Sequence, residues 1–340
     1  MLKTQTAIET TVPVPVSEGG GALVVTPDYQ SLIQSWLEYT KKHSGLTSAQ
    51  SERSYRNAIK QCLNWLSEEG VNVLSATDNH IFSWLEYLKV NKAKATVQMY
   101  LVAVRLFFAW LCKEGFIGQN PCEGMKAGVK IDRSQHKRAY LSADRARALL
   151  AAMPSETVMQ LRDRAIVALM ITTGLRCCEV QKALFEDLRP VGDCEVLYIQ
   201  GKGHSEKNAF VKVAPAVGKM IRDYLKARFN GGTPREQDYL FVSTSRNHAK
   251  FDKDDELSTQ AIRAIVKKAM KAIGFDDEKH TAHSLRHTAA TLMVRGGEEL
   301  TNVKQVLRHA NVQTTLIYAH DIERERNNAE LNISRELFGE

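Results

Sequence analysis

The sequence lacks the features that mark several common classes of protein. Its six cysteines include no C-x-x-C pair and no paired metal-ligand spacing, which excludes a disulfide framework and a cysteine-based zinc site. There is no apolar core of a signal peptide, and no uninterrupted apolar run approaches the roughly 18 residues of a membrane span. We therefore expect a cytoplasmic protein with no membrane partner. There is also no P-loop and no carboxylate cluster of the two-metal nuclease type, so we expect no nucleotide cofactor and no metal.

What the sequence has is length and a moderate excess of positive charge. Its 340 residues favour two domains, each large enough for its own core, and 44% apolar residues indicate a globular chain. The net charge of +7 favours an anionic partner, although many basic proteins bind nothing acidic.

The first third of the chain predicts a helical bundle. Residues 1–26 contain Pro13, Pro15 and a run of three glycines, and we interpret them as a flexible tail. Residues 27–118 then carry four apolar stripes at helical spacing, separated by short connections. The stripes are Leu32, Ile33, Trp36 and Leu37; Tyr55, Ile59, Cys62, Leu63 and Leu66; Ile81, Phe82, Leu85 and Leu88; and Leu101, Val104, Phe107, Phe108 and Leu111. This pattern predicts a small all-α domain.

Basic residues cluster around the fourth helix and after it. Lys92 and Lys94 lie in the turn before this helix, and Arg105 lies on its polar side. These three residues are either solvated surface charges or contacts to DNA phosphates. Residues 119–140 contain glycine and proline and an excess of basic residues, so we predict a flexible linker that could run along a duplex. Its candidate DNA contacts are Lys130, Arg133 and Arg138.

The remainder of the chain mixes helical and strand patterns. Ser142 is placed to cap a helix, and 157–173 reads as a core helix that ends at Gly174. Alternating apolar residues at 195–200 and 209–213 predict an antiparallel hairpin, and 239–243 is a possible further strand. A basic helix is predicted from Ser258 to Ile273. The expected fold is therefore mainly α with a small antiparallel β-sheet: a helical domain followed by a mixed α/β domain.

The richest chemical pattern lies between residues 281 and 320. His283 and Arg286 are three residues apart, so a helix presents both on one face, a proton donor beside a guanidinium fork suited to phosphate. His309 and Tyr318 are nine apart and would face opposite ways on one helix, but 311–315 predicts a break and a fresh helix start. Such a group of residues suits phosphoryl transfer to a protein hydroxyl.

Five motifs now stand in one order along the chain. They are G-L-R-x-x-E at 174–179, G-K-G at 201–203, H-x-x-R at 283–286, L-R-H-A at 307–310, and Tyr318. In this order and spacing they resemble the tyrosine recombinase (phage integrase) family over about residues 140–322. The resemblance implies a core-binding domain at 27–118, a catalytic domain at 141–325, a C-shaped clamp on DNA, and a tail at 326–340 that docks on a neighbouring subunit.

The resemblance also implies the central roles in catalysis. Tyr318 would attack a DNA phosphodiester and form a 3′-phosphotyrosyl link, while Arg176 and Arg286 clamp the non-bridging oxygens. Lys202, in the hairpin loop, would protonate the leaving 5′-oxygen, with Lys207 as the fallback for that role. The covalent link conserves the energy of the broken bond, which is why such chemistry needs no cofactor.

Three further residues receive supporting roles from the same resemblance. His283 would assist proton transfer, His309 would donate a hydrogen bond to the phosphate, and Glu179 would orient Arg176 or an adjacent group. The chain departs from the family pattern at Arg308, because that family usually has glycine before the third-box histidine. This substitution raises a question about the local backbone conformation rather than about the chemistry.

The resemblance extends to the DNA partner. The Ser258–Ile273 helix would enter the major groove with Gln260 and Arg263 as base readers, or its basic residues would contact only phosphates. The partner would be double-stranded DNA with an inverted-repeat core site. It would be held by a homo-tetramer, or by a hetero-tetramer with a paralogue, and recombination would proceed through a Holliday junction. Two alternatives stay open: a type IB topoisomerase-like relaxase, and a DNA-binding protein without catalytic activity.

Overall fold

In the computed structural model, the chain divides into two compact units, Met1–Ile131 and Asp132–Glu340. The structure describes residues 29–43, 48–130, 139–200, 206–243, 256–309, 311, 315–318 and 327–339. All statements below concern these residues.

The first unit is a bundle of four helices, as the apolar stripes predict. The helices are α1 (Tyr29–His43), α2 (Ala49–Glu68), α3 (Asp78–Asn91) and α4 (Lys94–Lys113), with a short 3₁₀ turn at Val73–Ser75. Trp36, Trp84 and Phe107 lie fully buried at its centre. Phe82 is the exception to the predicted stripes, since it is 55% exposed. Positions 81, 84, 85 and 88 share one helical face, which leaves position 82 outside it.

The segment that follows α4 packs back onto this bundle. The guanidinium of Arg105 donates to the carbonyl of Cys122 at 3.2 Å and to that of Met125, and Cys122 is fully buried. Asn120 returns a hydrogen bond to the carbonyl of Arg105 at 3.2 Å. Part of the predicted linker therefore belongs to the first unit, and residues 131–138, with Arg133 and Arg138, lie outside the described residues.

Helix α4 also meets a simple criterion for a membrane span. It is 20 residues long with a mean hydropathy of 1.6, and among the described residues it is the one helix that is long and apolar enough. Counting uninterrupted apolar residues does not detect it, because polar side chains interrupt the run. Half of its apolar window is buried inside the unit, as in the core helix of a bundle.

The second unit contains the sheet. Strands β1 (Leu188–Val191), β2 (Cys194–Ile199) and β3 (Ala209–Val213) pair antiparallel in the order β1-β2-β3, with Leu197 opposite Val211. The predicted hairpin is confirmed as β2 and β3. The possible further strand at 239–243 is not found, because within the described part of the chain that segment makes only isolated bridges, Leu184 with Tyr239 and Val242 with Glu256.

Eight α-helices of the second unit have both ends within the described residues, and residues 315–318 are helical as well. The eight are α5 (Ala143–Ala151), α6 (Val158–Thr173), α7 (Cys177–Gln181), α8 (Pro215–Phe229), α9 (Thr259–Ala272), α10 (Ala282–Arg295), α11 (Leu300–Leu307) and α12 (Ala329–Phe338). The predicted cap forms at Ser142, whose side chain accepts from the N–H of Arg145, and the side chain of Thr157 likewise accepts from the N–H of Gln160 at the start of α6. Helix α6 is buried along most of its length and packs against α8, α9 and α10. It therefore fixes the place where the predicted motifs meet.

Candidate active site

The site begins at the turn that ends α6. Gly174 has φ +66°, a left-handed conformation that favours glycine, and its N–H bonds the carbonyl of Met170 at 2.9 Å. A Cβ at this position would lie 2.5 Å from Cδ2 of Leu307, a side chain at the end of α11. The turn therefore requires glycine for two reasons, its backbone conformation and the close approach of α11. Directly after it, Arg176 is the N-cap residue of α7.

A buried carboxylate holds Arg176 in place. The carboxylate of Glu179, whose side chain is 0% exposed, accepts from Nη1 of Arg176 at 2.9 Å and from its backbone N–H at 2.7 Å. The same carboxylate accepts from Nη2 of Arg308 at 2.8 Å. Glu179 thus contacts Arg176 as the sequence predicts, and it also binds a second guanidinium that the sequence analysis did not connect with it.

Arg308, where the family usually has glycine, adopts a backbone conformation that glycine favours. It ends α11 in the left-handed conformation, with φ 54° and ψ 48°, which costs a non-glycine residue on the order of 1–3 kcal/mol. Glycine adopts this conformation freely, which explains why it suits the position. The contact with Glu179 offsets the cost for arginine. Burial lowers the pKa of Arg308, and the charge of Glu179 acts in the opposite direction.

Arg286 lies deepest of the three arginines. It is 1% exposed on α10, and its guanidinium donates to the carbonyl of Gly174 at 2.6 Å and to that of Leu307. Both carbonyls lie at helix ends, where the backbone needs partners and the helix dipole favours a cation. Burial, followed by the charges of Arg176 and Arg308, lowers the pKa of Arg286 to about 10, so it stays protonated at neutral pH. Three guanidiniums around one carboxylate form a site suited to an anion.

Tyr318 is buried against this cluster. It is 5% exposed and packs with Ala290, Val303 and Leu307. In its ionised form the phenol raises the pKa of Arg286, so the two side chains lie within electrostatic reach of each other. The structure therefore brings Tyr318 together with Arg286, and Arg286 with Arg176, from three distant parts of the sequence.

The residue in contact with the tyrosine hydroxyl is one that the sequence analysis missed. Nδ1 of His287 lies 2.5 Å from the hydroxyl oxygen of Tyr318, and the ring of His283 meets that of His287 edge-on with centroids 4.4 Å apart. The signal was present in the sequence, because His287 follows His283 by four residues and so shares its helical face. His283 itself is exposed.

His309 lies beyond the end of α11, as the predicted break requires. Its Nδ1 is 2.9 Å from the hydroxyl oxygen of Thr315, which is fully buried, and residues 315–318 are helical. His309 and Tyr318 therefore do not lie on one continuous helix. The short contact across the break ties the second segment to the end of the first.

An open cavity leads into the site. It has a volume of about 350 Å³, and its lining includes Arg176, His283, Thr259 and Arg263. Thr259 is the first residue of α9, the helix expected to read DNA. This helix therefore starts at the cavity that Arg176 and His283 also line. Gln260 and Arg263 are both exposed there.

The other predicted residues fall into two groups. Lys202 lies outside the described residues, whereas its fallback Lys207 forms an ion pair of 2.6 Å with the buried carboxylate of Asp187. Lys92, Lys94 and Lys130 are exposed in the first unit, each with its ammonium group able to meet solvent or phosphate. The guanidinium of Arg105 instead binds backbone carbonyls, and its contact with DNA stays a prediction.

Comparison with known proteins identifies the family to which this chain is similar. The model of the Phage integrase family matches residues 139–325, and that of its N-terminal SAM-like domain matches residues 33–115. Tyrosine recombinase XerC of Rhodospirillum centenum is 32% identical over 86% of this chain and 83% of its own length. Tyrosine recombinase XerD of Lacticaseibacillus casei is 29% identical over 85% of this chain and 93% of its own length.

Solved structures share the fold. A XerH site-specific recombinase bound to palindromic difH substrate has a TM-score of 0.69 at 18% identity, with 90% of each chain covered. A lambda integrase tetramer bound to a Holliday junction has a TM-score of 0.61 at 20% identity, with 84% of this chain and 76% of that chain covered. The chain belongs to the phage integrase family of tyrosine recombinases, and it is a site-specific DNA recombinase.

Proposed function

We propose that Tyr318 is the nucleophile that cuts DNA and that Arg176 and Arg286 bind the phosphate under attack. The phenol oxygen forms a bond to phosphorus, the bond from phosphorus to the 5′-oxygen breaks, and the 3′-phosphate stays on the tyrosine. Rejoining reverses the step with a 5′-hydroxyl from another strand. The observation that carries this proposal is the burial of Tyr318 beside Arg286. Among the described residues, Glu179 is the one carboxylate that acts on the charge of Arg286, and Glu179 also pairs with Arg176 and Arg308.

Physical chemistry explains why cations are needed. A phenol with a pKa of about 10 is only about 0.1% ionised at pH 7, so the attack depends on charge stabilisation and on a proton acceptor. Two fixed guanidiniums stabilise the extra charge of the five-coordinate phosphorus, and one such donor is typically worth about 3–4 kcal/mol. Glu179 keeps Arg176 in place through two hydrogen bonds.

The leaving oxygen needs a proton more than the phenol needs to lose one, because an alkoxide is the poorer leaving group. We assign this role to Lys202 on the loop between β2 and β3. The ion pair between Lys207 and the buried Asp187 supports this choice, because it engages the alternative lysine. His283, exposed at the cavity, assists proton transfer, and His309 donates a hydrogen bond to the phosphate.

The two units divide the work between binding and chemistry. We assign residues 27–118 to core binding and 141–325 to catalysis, closing as a C-shaped clamp on a duplex, with 1–26 as a tail. Of the predicted linker at 119–140, the part that contacts Arg105 belongs with the first unit, and we assign the remainder to the connection between the units. Lys92, Lys94 and Lys130 contact phosphates, with Arg105, Arg133 and Arg138 as further candidates. Gln260 and Arg263 read bases in the major groove from α9.

The active assembly is a tetramer on two copies of an inverted-repeat core site. Helix α12 supports this, because it has no buried residue and exposes Leu331, Ile333, Leu337 and Phe338, an apolar set that a neighbouring subunit can cover. Strand exchange in the cytoplasm then passes through a Holliday junction, in a homo-tetramer or with a paralogue. The same exchange integrates or excises a mobile element or resolves a chromosome or plasmid dimer, according to where the two sites lie.

The test starts by finding the DNA. Sheared genomic DNA from the source organism is bound to the full-length protein, and the enriched site is built into a duplex nicked near the cleavage position. We expect a denaturant-stable protein–DNA adduct that Tyr318→Phe abolishes. Tyr198→Phe is the matched control, because Tyr198 lies on β2 against Phe210 and outside the site.

Two other functions predict different results. A DNA-binding protein without activity gives no adduct with any variant. A type IB topoisomerase-like relaxase gives the adduct and relaxes supercoils, but it does not exchange strands between two labelled copies of the site. Recombinant product from two sites in one reaction supports the proposal against both.

A further inference from the structure

We propose that His287 accepts the proton of the Tyr318 hydroxyl during attack on DNA, a role distinct from that of His283. The inference rests on the proposed nucleophile. It assigns a direct part in proton transfer to a residue outside the five motifs that identify the family.

The contact between the two residues supports the assignment. Nδ1 of His287 and the hydroxyl oxygen of Tyr318 are 2.5 Å apart, within hydrogen-bond reach of a general base. With its proton on Nε2, the imidazole accepts the phenol proton at Nδ1. The two side chains are 6% and 5% exposed, respectively, so bulk water has little access to this proton.

The other basic groups of the site are engaged elsewhere. His309 shares a hydrogen bond with Thr315, and His283 lines the open cavity. The carboxylate of Glu179 is held between two guanidiniums, which makes it a weak base. His287 is therefore the group best placed to take the proton of the phenol.

The proposed step conserves atoms and charge. The Tyr318 oxygen bonds to phosphorus as its proton moves to Nδ1 of His287, and the 5′-oxygen leaves with a proton from Lys202. During rejoining, the 5′-hydroxyl attacks and returns its proton to the lysine. The departing Tyr318 oxygen takes its proton back from His287. Both groups thus recover their starting states after each cycle.

The experiment measures single-turnover cleavage by the full-length protein on the nicked substrate. We expect His287→Asn to slow adduct formation by about 10²–10⁴-fold, the range for loss of a general base. Replacing Tyr318 with a fluorinated tyrosine, whose phenol is more acidic, should restore most of that rate in His287→Asn. The same replacement should change little when His287 is present, because the base already removes the proton.

A second substrate separates the base from the acid. When sulfur replaces the bridging 5′-oxygen, the leaving group needs no proton, so this substrate should rescue Lys202→Ala but not His287→Asn. His280→Asn is the matched control, because His280 pairs with Asp277 just before α10 and lies outside the site. We expect His280→Asn to cleave both substrates at the wild-type rate.

Three results would overturn the inference. His287→Asn could cleave as fast as the wild type or faster, which would mean that the hydrogen bond restrains Tyr318 and that His287 is not a general base. The fluorinated tyrosine could fail to rescue a variant that thermal unfolding shows to be folded, with His287→Gln giving the same answer. The sulfur substrate could rescue His287→Asn. Absence of a Tyr318-dependent adduct with the wild-type protein is a separate result, and it would refute the proposed nucleophile itself.

Discussion

The interiors of the two units differ in kind. Among the described residues of the first unit, Thr40 is the one buried polar side chain, and the centre is aromatic, with Trp36 and Phe107 in edge contact at 6.0 Å. The second unit buries both signs of charge, including Arg162, Glu179 and Arg286. Burying a charge is expensive unless it is paired and hydrogen-bonded, so the second interior gives up stability that the first retains.

The buried charges favour the second unit as the place of the chemistry, and the first unit as a binding unit. Aromatic packing stabilises the first unit and leaves its basic residues on the surface, which suits electrostatic binding to a backbone of phosphates. Not every buried charge of the second unit belongs to the site, however. Arg162 donates to the carbonyl of Val242 at 2.8 Å and to Asp163 at 2.7 Å, which is a structural role.

For the contrast between the two interiors, the largest effect is expected when each of these buried arginines is replaced by lysine. Arg286→Lys retains the charge but loses the fork that reaches two carbonyls and that we propose binds the phosphate, so we expect single-turnover cleavage to fall about 10²–10³-fold. Arg162→Lys is the control, and it should lower the free energy of unfolding with little change in the cleavage rate of the folded protein. Equal cleavage by wild type and Arg286→Lys would remove this arginine from the proposed chemistry.

Two glycines sharpen the comparison between the units. Gly174 and Gly70 both have left-handed φ values, +66° and +72°, but only at Gly174 does an added Cβ meet a neighbour within 4 Å. We expect Gly174→Ala to lower the free energy of unfolding by about 1–3 kcal/mol more than Gly70→Ala, because it adds overpacking to backbone strain. Urea unfolding measures both variants, and equal losses would show that Leu307 moves aside without cost.

A smaller effect is expected at Arg308, where strain and ion pairing oppose each other. Arg308→Gly and Arg308→Ala both remove the contact with Glu179, but glycine adopts φ 54° without strain. We therefore expect the glycine variant to be about 1 kcal/mol more stable than the alanine variant. Thermal unfolding of the pair measures this difference, and an advantage for alanine would contradict the left-handed conformation.

The smallest effect should appear in the first unit. Lys94→Ala removes one proposed phosphate contact, so the dependence of log affinity on log salt should weaken by about 0.9, with cleavage at saturating DNA unchanged. Lys42→Ala on α1 is the control, an exposed lysine outside the proposed DNA surface. Equal salt dependence for the two variants would remove Lys94 from the binding surface.

Much of the fold was predictable because it depends on local pattern. Apolar periodicity located the four helices of the first unit, the cap residue Ser142 located the start of α5, and apolar content located α6. Strand β1 escaped notice because Pro190 interrupts its pattern, which an edge strand tolerates. At 239–243 the sequence instead suggested a strand that the structure does not form. This segment is apolar and buried at Leu240 and Phe241, but it has no continuous partner strand among the described residues.

The site was predictable as a set of residues but not as a set of contacts. Motif order brought Arg176, Arg286 and Tyr318 together, yet nothing local in the sequence shows that Glu179 also binds Arg308. That contact joins positions 129 residues apart and depends on how α11 ends. The contact of His287 with Tyr318 depends likewise on the path of the chain after α11.

The anchoring of Arg286 has a consequence for the newly made chain. One of its carbonyl partners lies 112 residues upstream at Gly174, and the other lies 21 residues downstream at Leu307, with Tyr318 later still. Because a ribosome releases the chain from the N-terminus onwards, the guanidinium acquires its second anchor only after α11 has emerged. A nascent chain therefore cannot fix Arg286 between its two carbonyl partners, or beside Tyr318, until α11 and Tyr318 have both left the ribosome.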